Sequence, residues 1–501
     1  MWPFRKTKSG KPRGMPAVVR ASSASQVSAK FDSAQTTPDN MRHWANADFL
    51  SANAAARPEV RRILRNRARY EVANNSYARG IVLTLANDVI GTGPRLQMLL
   101  GDGENEGANA VIEREFTAWA KAIDLSGKLR TMRMARAQDG EAFAMLVTNT
   151  NPDCPVKLDI KLVEADQVTN PMMWLPTPTF VDGIVLDENG NPKQYHVLDY
   201  HPGDFLHTVP LKYHVIPAGS MVHWFRADRP GQRRGIPEIM PALPLFAQLR
   251  RYTLAVLGAA ETAADFAAVL FTDSPANGEA QSLEPMDVVA LEKRMATVLP
   301  DGWRLGQVEA QQPTTTYDMF KREILNEIAR CLNMPYNIAA CNSSGYNYSS
   351  GRLDHQTYYK SIRVEQSHIE AIVLDQILDA WMAEAMRVYP ELTGLTDWTH
   401  QWFWDGHEHV DPQKEASAQQ QRLENNTTTL ASEYARQGKD WETELRQRAK
   451  EVALMKELGL TVSQAVPTPT PTPAPAPAPG RKPQQVKEDQ SDDQQPQPKA
   501  A

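Results

Sequence analysis

His223-Trp-Phe-Arg-Ala-Asp-Arg-Pro-Gly-Gln-Arg-Arg-Gly-Ile-Pro237 separates two textures of the chain. Before it, from Val156 to His223, short β-branched runs alternate with turn signals. The runs are Leu158–Leu162, Gly183–Leu186, Gln194–Leu198 and Lys212–Ile216, and Asp187-Glu-Asn-Gly190 has the composition of a hairpin turn. After it, Gly235-Ile-Pro237 opens a helical pattern that continues to about Phe271. That pattern is dense in Ala (Ala255, Ala259, Ala260, Ala263, Ala264, Ala267, Ala268), which suits close helix–helix approach, either between subunits or inside one. The mixture predicts an α+β fold, mainly helical.

Toward the N-terminus, residues 108–148 give an amphipathic helix (Ala108–Ile123), a second around Lys128–Asp139 and a strand, Ala142–Thr148. Upstream, Arg57-Pro58-Glu59 starts a helix whose apolar stripe is Val60, Ile63, Leu64 and Ala68. The same helix carries Arg61, Arg62, Arg65, Arg67 and Arg69. These form either a solvated or carboxylate-paired face, or a contact with phosphates or an acidic neighbour. A further helix from about Asn74 to Val89 stops at Ile90-Gly91-Thr92-Gly93-Pro94, helix punctuation and not a phosphate cradle, because no GK[ST] occurs. Residues 1–40 read as a flexible basic arm.

Toward the C-terminus, 272–316 is polar and broken by Pro275, Pro285, Pro300 and Pro313. Tyr317–Asn333 is amphipathic, with Phe320, Ile324, Ile328 and Leu332 at helical spacing. A Gly/Ser/Asn/Tyr loop at 337–351 precedes a helix from Leu353 to about Val388, striped by Ile362, Ile369, Val373, Ile377 and Trp381. Some 35 residues span roughly 50 Å, more than one compact domain needs, so this rod is expected to link layers of an assembly. A polar helical stretch, Gln413–Leu458, follows, and 461–501 is a Pro-rich extended tail.

The 501 residues are 42% hydrophobic and 23% charged, which excludes wholesale disorder. Three sparse cysteines (Cys154, Cys331, Cys341) make neither a disulfide framework nor a zinc site. No apolar stretch follows the basic start, so no secretory signal is read. The most membrane-like segment, Tyr252–Phe271, holds Glu261 and Asp265 centrally. Each charge there costs about 2.5–3.5 kcal/mol, which excludes a span. A soluble chain made in the cytoplasm is expected. The net charge of -6 argues against a protein that coats itself in nucleic acid. Divided, it says more: residues 1–80 hold 15 Lys+Arg and 5 Asp+Glu, or +10, which leaves -16 for the remainder.

No constellation compels catalysis. There is no GxSxG elbow, and Cys331 on an apolar helix face reads as an inert thiol. His400, His407 and His409 with Asp405, Glu408 and Asp411 form the one metal-like cluster, but its spacing suits an exposed turn. No nuclease-type carboxylate pair stands above background. The sequence therefore predicts no enzyme, no cofactor and no metal.

Three collinear stretches carry a resemblance. The first runs from Tyr77-Ala-Arg79-Gly-Ile-Val82 to Asn87-Asp88-Val-Ile-Gly91-Thr-Gly93-Pro94. The second is the opening segment, with His223, Arg229, Gln232 and Gly235. The third is Leu332-Asn-Met-Pro335-Tyr followed by Asn347-Tyr348-Ser349-Ser350-Gly351-Arg352. In order and spacing they resemble the lambda family of tailed-phage portal proteins over roughly residues 45–410, with Gly80, Asn87, Gly91, Gly93, His223, Arg229, Gln232, Gly235 and Pro335 as signature positions.

The resemblance implies a portal-type ring subunit with wing, stem, clip and crown, usually in twelve copies at one capsid vertex. The ring is the channel for DNA packaging by the terminase and for ejection, and the attachment point of the tail. Laid on this chain, it implies an arm (1–40), wing (41–235), first stem helix (236–271), clip (272–316) and second stem helix (317–334). A tunnel loop (335–352), a tunnel-to-crown helix with wing return (353–410), a helical crown (411–460) and a tail (461–501) follow. Asn342, Ser343, Ser344, Gly345, Tyr346, Asn347, Tyr348, Ser349, Ser350 and Arg352 would face DNA, with Tyr346 and Tyr348 as stacking or sliding surfaces; a static surface loop is the alternative. A lining that lets DNA slide should be neutral to acidic, because phosphate-binding cations would make it stick. Implied partners are further copies of the chain, the terminase large subunit, head–tail adaptors, major capsid and scaffold proteins and double-stranded DNA, with no membrane, in a virion assembled from protein made in the host cytoplasm. The competing readings are another structural head–tail joining protein and a DNA-processing phage enzyme.

Overall fold

The axis of the molecule is a helix that runs from Tyr348 to Ile369, passes through one π turn at Glu370–Leu374, and resumes as Asp375–Val388. The computed structural model describes residues 34–100, 106–171, 177–204, 212–265, 269–272, 303–306, 316–395, 398–406 and 412–460. Along the axis Ile362, Ile369, Val373, Ile377 and Trp381, the stripe read from the sequence, are at most 1% exposed. The rod is therefore the spine of the main core. Its length is accommodated because helices Pro58–Asn74, Ser76–Ile90, Glu106–Ala122 and Leu125–Asp139 and four strands contribute to the same core. The π turn adds a residue to one turn, a device that re-aims side chains, and Trp404 Nε1 donates to Glu370 Oε1 there at 2.5 Å.

A three-stranded antiparallel sheet lies beside the helices, with Glu141–Thr148 central between Leu158–Val163 and Met221–Phe225. A four-stranded meander, Phe180–Val181, Ile184–Leu186, Pro192–Leu198 and Tyr213–Pro217, packs on it through a smaller core that includes Phe143, Ile184, Tyr195 and Met221. The Asp187–Gly190 turn joins its second and third strands, with Gly190 at φ 84°. Strand Arg95–Met98 pairs with His400–Phe403, which ties the C-terminal return to the N-terminal helices.

Several sequence expectations are corrected. The helix expected over 235–271 starts at Leu243 and ends at Asp265, and Val269–Thr272 is a strand paired with Trp303–Gly306. Pro237, Pro241 and Pro244 restrict helix to the stretch where proline can occupy a first turn, and Val-Leu-Phe-Thr favours strand. The Gln413–Leu458 stretch is three helices, Pro412–Glu424, Leu430–Arg436 and Trp441–Glu457, the last two opened by N-caps Thr429 and Asp440. In Thr316–Arg330 the buried side is Leu325, Ile328 and Ala329, while Phe320 is half exposed.

The largest departure is in Pro58–Asn74, which is inside out. Arg61 and Arg65 are 2% and 5% exposed, whereas Val60 and Ile63 are 39% and 47% exposed. Carboxylates on the facing elements draw the guanidiniums inward, so Val60 and Ile63 point to solvent while Ala68 stays buried. The first 33 residues of the arm, nearly all of the 272–316 clip and the 461–501 tail lie outside the described residues. No described helix is long and apolar enough to cross a membrane.

Candidate functional site

Glu141 opens the central strand and is wholly buried, so its carboxylate must find partners inside the fold. Arg234 donates Nε to both carboxylate oxygens (3.0 and 2.9 Å) and Nη2 to Oε1 (2.8 Å). His223 Nε2 lies 3.2 Å from Oε2, and the Gly235 amide donates to the same oxygen at 3.0 Å. Burial alone would raise the Glu141 carboxyl; the Arg234 and His223 contacts overcome it and hold the group well below the usual carboxylate range. Arg234 also donates to the carbonyls of Val168, Ala165 and Asp182. Around this node Arg61 pairs with Asp182, Arg65 with Asp166 (2.6 Å) and Arg69 with Asp139 (2.6 Å). Burial and the nearby Arg234 cation lower Arg61 to about 10.

Four signature positions meet here. His223 and Gly235 bind Glu141 directly. Gln232 Oε1 accepts the amides of Asp228 (3.0 Å) and Arg229 (3.3 Å), while its Nε2 donates to the Arg234 carbonyl (2.9 Å). Arg229 Nη2 donates to the Leu50 carbonyl (3.0 Å). Gly235 must lack a side chain, because a Cβ would be driven into the Gly140 carbonyl. Gly91 and Gly93 sit elsewhere, at φ 57° and 114° after the Ser76–Ile90 helix. A Cβ on Gly91 would strike the Asp405 carboxylate, which accepts the Thr92 amide (2.5 Å) and hydroxyl (2.8 Å). The Asn87 carbonyl accepts the Gly91 amide (2.7 Å), and Pro335 leads into the short helix Tyr336–Ala339. A Cβ on Gly80 would meet nothing within 4 Å, so no steric demand among the described residues explains that glycine. Glu141 itself was missed in the sequence: an acid after a glycine at a strand start carries no signal until its partners are known.

The segment expected as a loop over 337–351 is shorter. Tyr336–Ala339 is helical, and the long helix already begins at Tyr348. Asn347 Oδ1 accepts the Ser350 amide (2.9 Å) while Ser350 Oγ accepts the Asn347 amide (3.3 Å), a reciprocal cap that starts the helix there. Tyr348, Ser349, Ser350 and Arg352 therefore belong to helical turns, and the loop proper is 340–347. Asn342, Ser343, Ser344 and Gly345 are exposed and uncharged, and Gly345 adopts φ 84°. Tyr346 is half-buried and packs on the core. Beside the loop Arg322 lies over the Tyr336 ring (5.2 Å), and Lys321 over Tyr77 (5.2 Å) and Tyr317 (5.7 Å).

Reactive groups are neutralised. Burial pushes the Cys331 thiol up to about 11. His400 pairs with Asp375 (3.0 Å), and Asp405 holds the Gly91–Thr92 turn, while His407, Glu408, His409 and Asp411 lie outside the described residues. Glu164, Asp166 and His201 bring ligand atoms within 4.8 Å of one another, but Arg65 and Arg69 already occupy these carboxylates.

Charges spent on each other to hold strands to helices, an inert thiol and an uncharged exposed loop on capped helices define a structural subunit. Residues 37–366 match the family described as phage portal protein, lambda family, and the chain belongs to that family, which is structural and not catalytic. It is 26% identical over 430 residues to a probable portal protein of Halomonas phage phiHAP-1, covering 79% of this chain and 81% of that protein. Among solved structures it is similar to a chain in the neck of an empty GTA particle with C6 symmetry (12% identity, TM-score 0.45, 74% of this chain and 92% of that one). It is also similar to one in the neck of a native GTA particle with C12 symmetry (12% identity, TM-score 0.43, 76% and 94%).

Proposed function

We propose that the loop 340–347 faces the DNA channel of a portal ring made of twelve copies of this chain, the family's usual number. As a phage portal protein the chain forms a homo-oligomeric ring in the virion, joined to capsid and tail, through which the genome is packaged and ejected. The observation that carries the loop reading is its chemistry: Asn342–Gly345 present no charge, so they offer DNA a surface without phosphate grip. The Asn347–Ser350 cap holds one side of the loop fixed. The outward apolar residues suit burial by neighbouring copies: Val60, Ile63 and Tyr70 on one helix, Leu254 and Leu257 on another, Met319 and Phe320 on a third.

In this reading 41–235 is the wing, Leu243–Asp265 and Thr316–Arg330 are the stem, 353–410 is the tunnel-to-crown helix with the wing return, and 412–460 is the crown. The terminase large subunit, head–tail adaptors, major capsid and scaffold proteins are the partners. The ring is made in the host cytoplasm and carried in the virion. The test is deletion of Asn342–Gly345, which spares the cap. Electron microscopy should show intact rings, and DNA packaging or retention should fall. Normal packaging by such rings would overturn the loop assignment.

A further inference from the structure

Between the Leu125–Asp139 helix, the long axial helix and the end of Thr316–Arg330 lies a cavity of about 530 Å³ to which nothing above gives a role. Its wall includes Arg133 and Arg136, 3% and 5% exposed, and Glu238 and Glu365. Arg133 contacts Glu238 (2.9 Å) and Glu365 (2.5 Å), and Arg136 contacts them at 3.1 and 3.2 Å, so these four charges cancel. Even so, Arg133 Nη1 is buried with no acceptor among the described residues. Such a donor is costly to leave unmade.

The rest of the wall adds three cations, Arg226, Arg330 and Lys360, and no further carboxylate. Arg226 leans on Asp228 (2.8 Å), outside the cavity, and lies 3.8 Å from Glu238 in its wall. Among the described residues Arg330 has only the neutral Asn333 side-chain oxygen (2.9 Å), and no acid pairs with Lys360. Thr357 adds a hydroxyl to the same wall, whereas that of Ser361 donates to the Tyr358 carbonyl (2.6 Å). A volume in the range of small-ligand pockets, excess positive charge, a hydroxyl donor and an orphaned guanidinium nitrogen share one complement.

We propose that this cavity binds a phosphate oxyanion. A carboxylate would offer two oxygens and one charge, whereas a phosphate offers more acceptors and up to two charges to the same surplus. Arg330 and Asn333 precede the 340–347 loop and Thr357 and Lys360 follow it, so a bound phosphate ties together both flanks of the loop. The chemistry is shared by free phosphates and by a nucleic-acid backbone. The inference stands without the portal reading, since it requires neither a ring nor packaging.

The test titrates the full-length protein with pyrophosphate at constant ionic strength, following heat and thermal midpoint. R330A/K360A removes two exposed cations of the wall, and R363A, an exposed cation outside it, is the control. Wild type and R363A should bind and gain midpoint, while R330A/K360A should bind at least about tenfold more weakly. A duplex DNA arm then identifies the source. Displacement of pyrophosphate points to backbone phosphate, and no displacement to a free phosphate; either upholds the site. No effect of pyrophosphate beyond equivalent chloride, or equal binding by the double variant, would overturn it.

Discussion

Replacing Glu141 by Gln would leave Arg234, 1% exposed, with only the Asp182 carboxylate (3.1 Å) against its buried charge. Breaking such a pair from one side costs about 3–5 kcal/mol, so E141Q should unfold at markedly lower urea concentration. Acid should act on the same neighbourhood. Burial lowers the pKa values of His196, His223 and His368, so the unfolded chain takes up protons before the folded one as pH falls. Their contribution is complete above the unfolded value of about 6.5 and is lost progressively below it. Urea midpoints between pH 7.5 and 5 should therefore fall, with a shallower fall in H223Q; a flat profile would contradict neutral burial. Glu141, held well below its usual range, adds a second loss only below about pH 4. His223, Gln232 and Gly235 stood out in the sequence as a signature, yet their task did not. Glu141 lies 82 residues from His223 and 93 from Arg234, a separation that no local pattern encodes.

Hydrophobic period located most of the long helices and five strands, because burying one face is what offsets the entropy cost of ordering them; Arg95–Met98, Met221–Phe225, Val269–Thr272, Trp303–Gly306 and His400–Phe403 escaped it. It mistook the orientation of Pro58–Asn74 because the period was sought in apolar residues alone. Arg61, Arg65 and Ala68 repeat at helical spacing too, and their partners Asp139, Asp166 and Asp182 come from later segments. The loop before the axial helix was overextended for a different reason: Ser and Asn were read as loop formers when Asn347 and Ser350 form a cap. N347A should lower stability by about 1 kcal/mol without changing the mid-helix, measurable as a shifted denaturant midpoint and faster amide exchange confined to 348–352. The π turn at 370–374 had no sequence signal, since its extra residue leaves the apolar stripe intact on either side.

At the scale of the whole molecule, the outward Val60 and Ile63 are strange in a monomer and sensible in a ring. V60D/I63D should leave a folded subunit, because both side chains point to solvent, but reduce ring formation in sedimentation velocity. Rings of normal yield would remove this face from the subunit contact. The charge division also takes on structure: the basic excess of residues 1–80 includes arginines that face inward, so less of it is available to solvent than the count suggests. The Glu141–Arg234 node also orders events in time. Arg61 and Arg65 leave the ribosome before Asp166 and Asp182 exist to receive them, and Glu141 waits 93 residues for Arg234, roughly 5–20 seconds of synthesis. Until the 223–235 segment emerges Glu141 has no Arg234 to meet, and the main core waits longer still for its spine, the helices of 348–388.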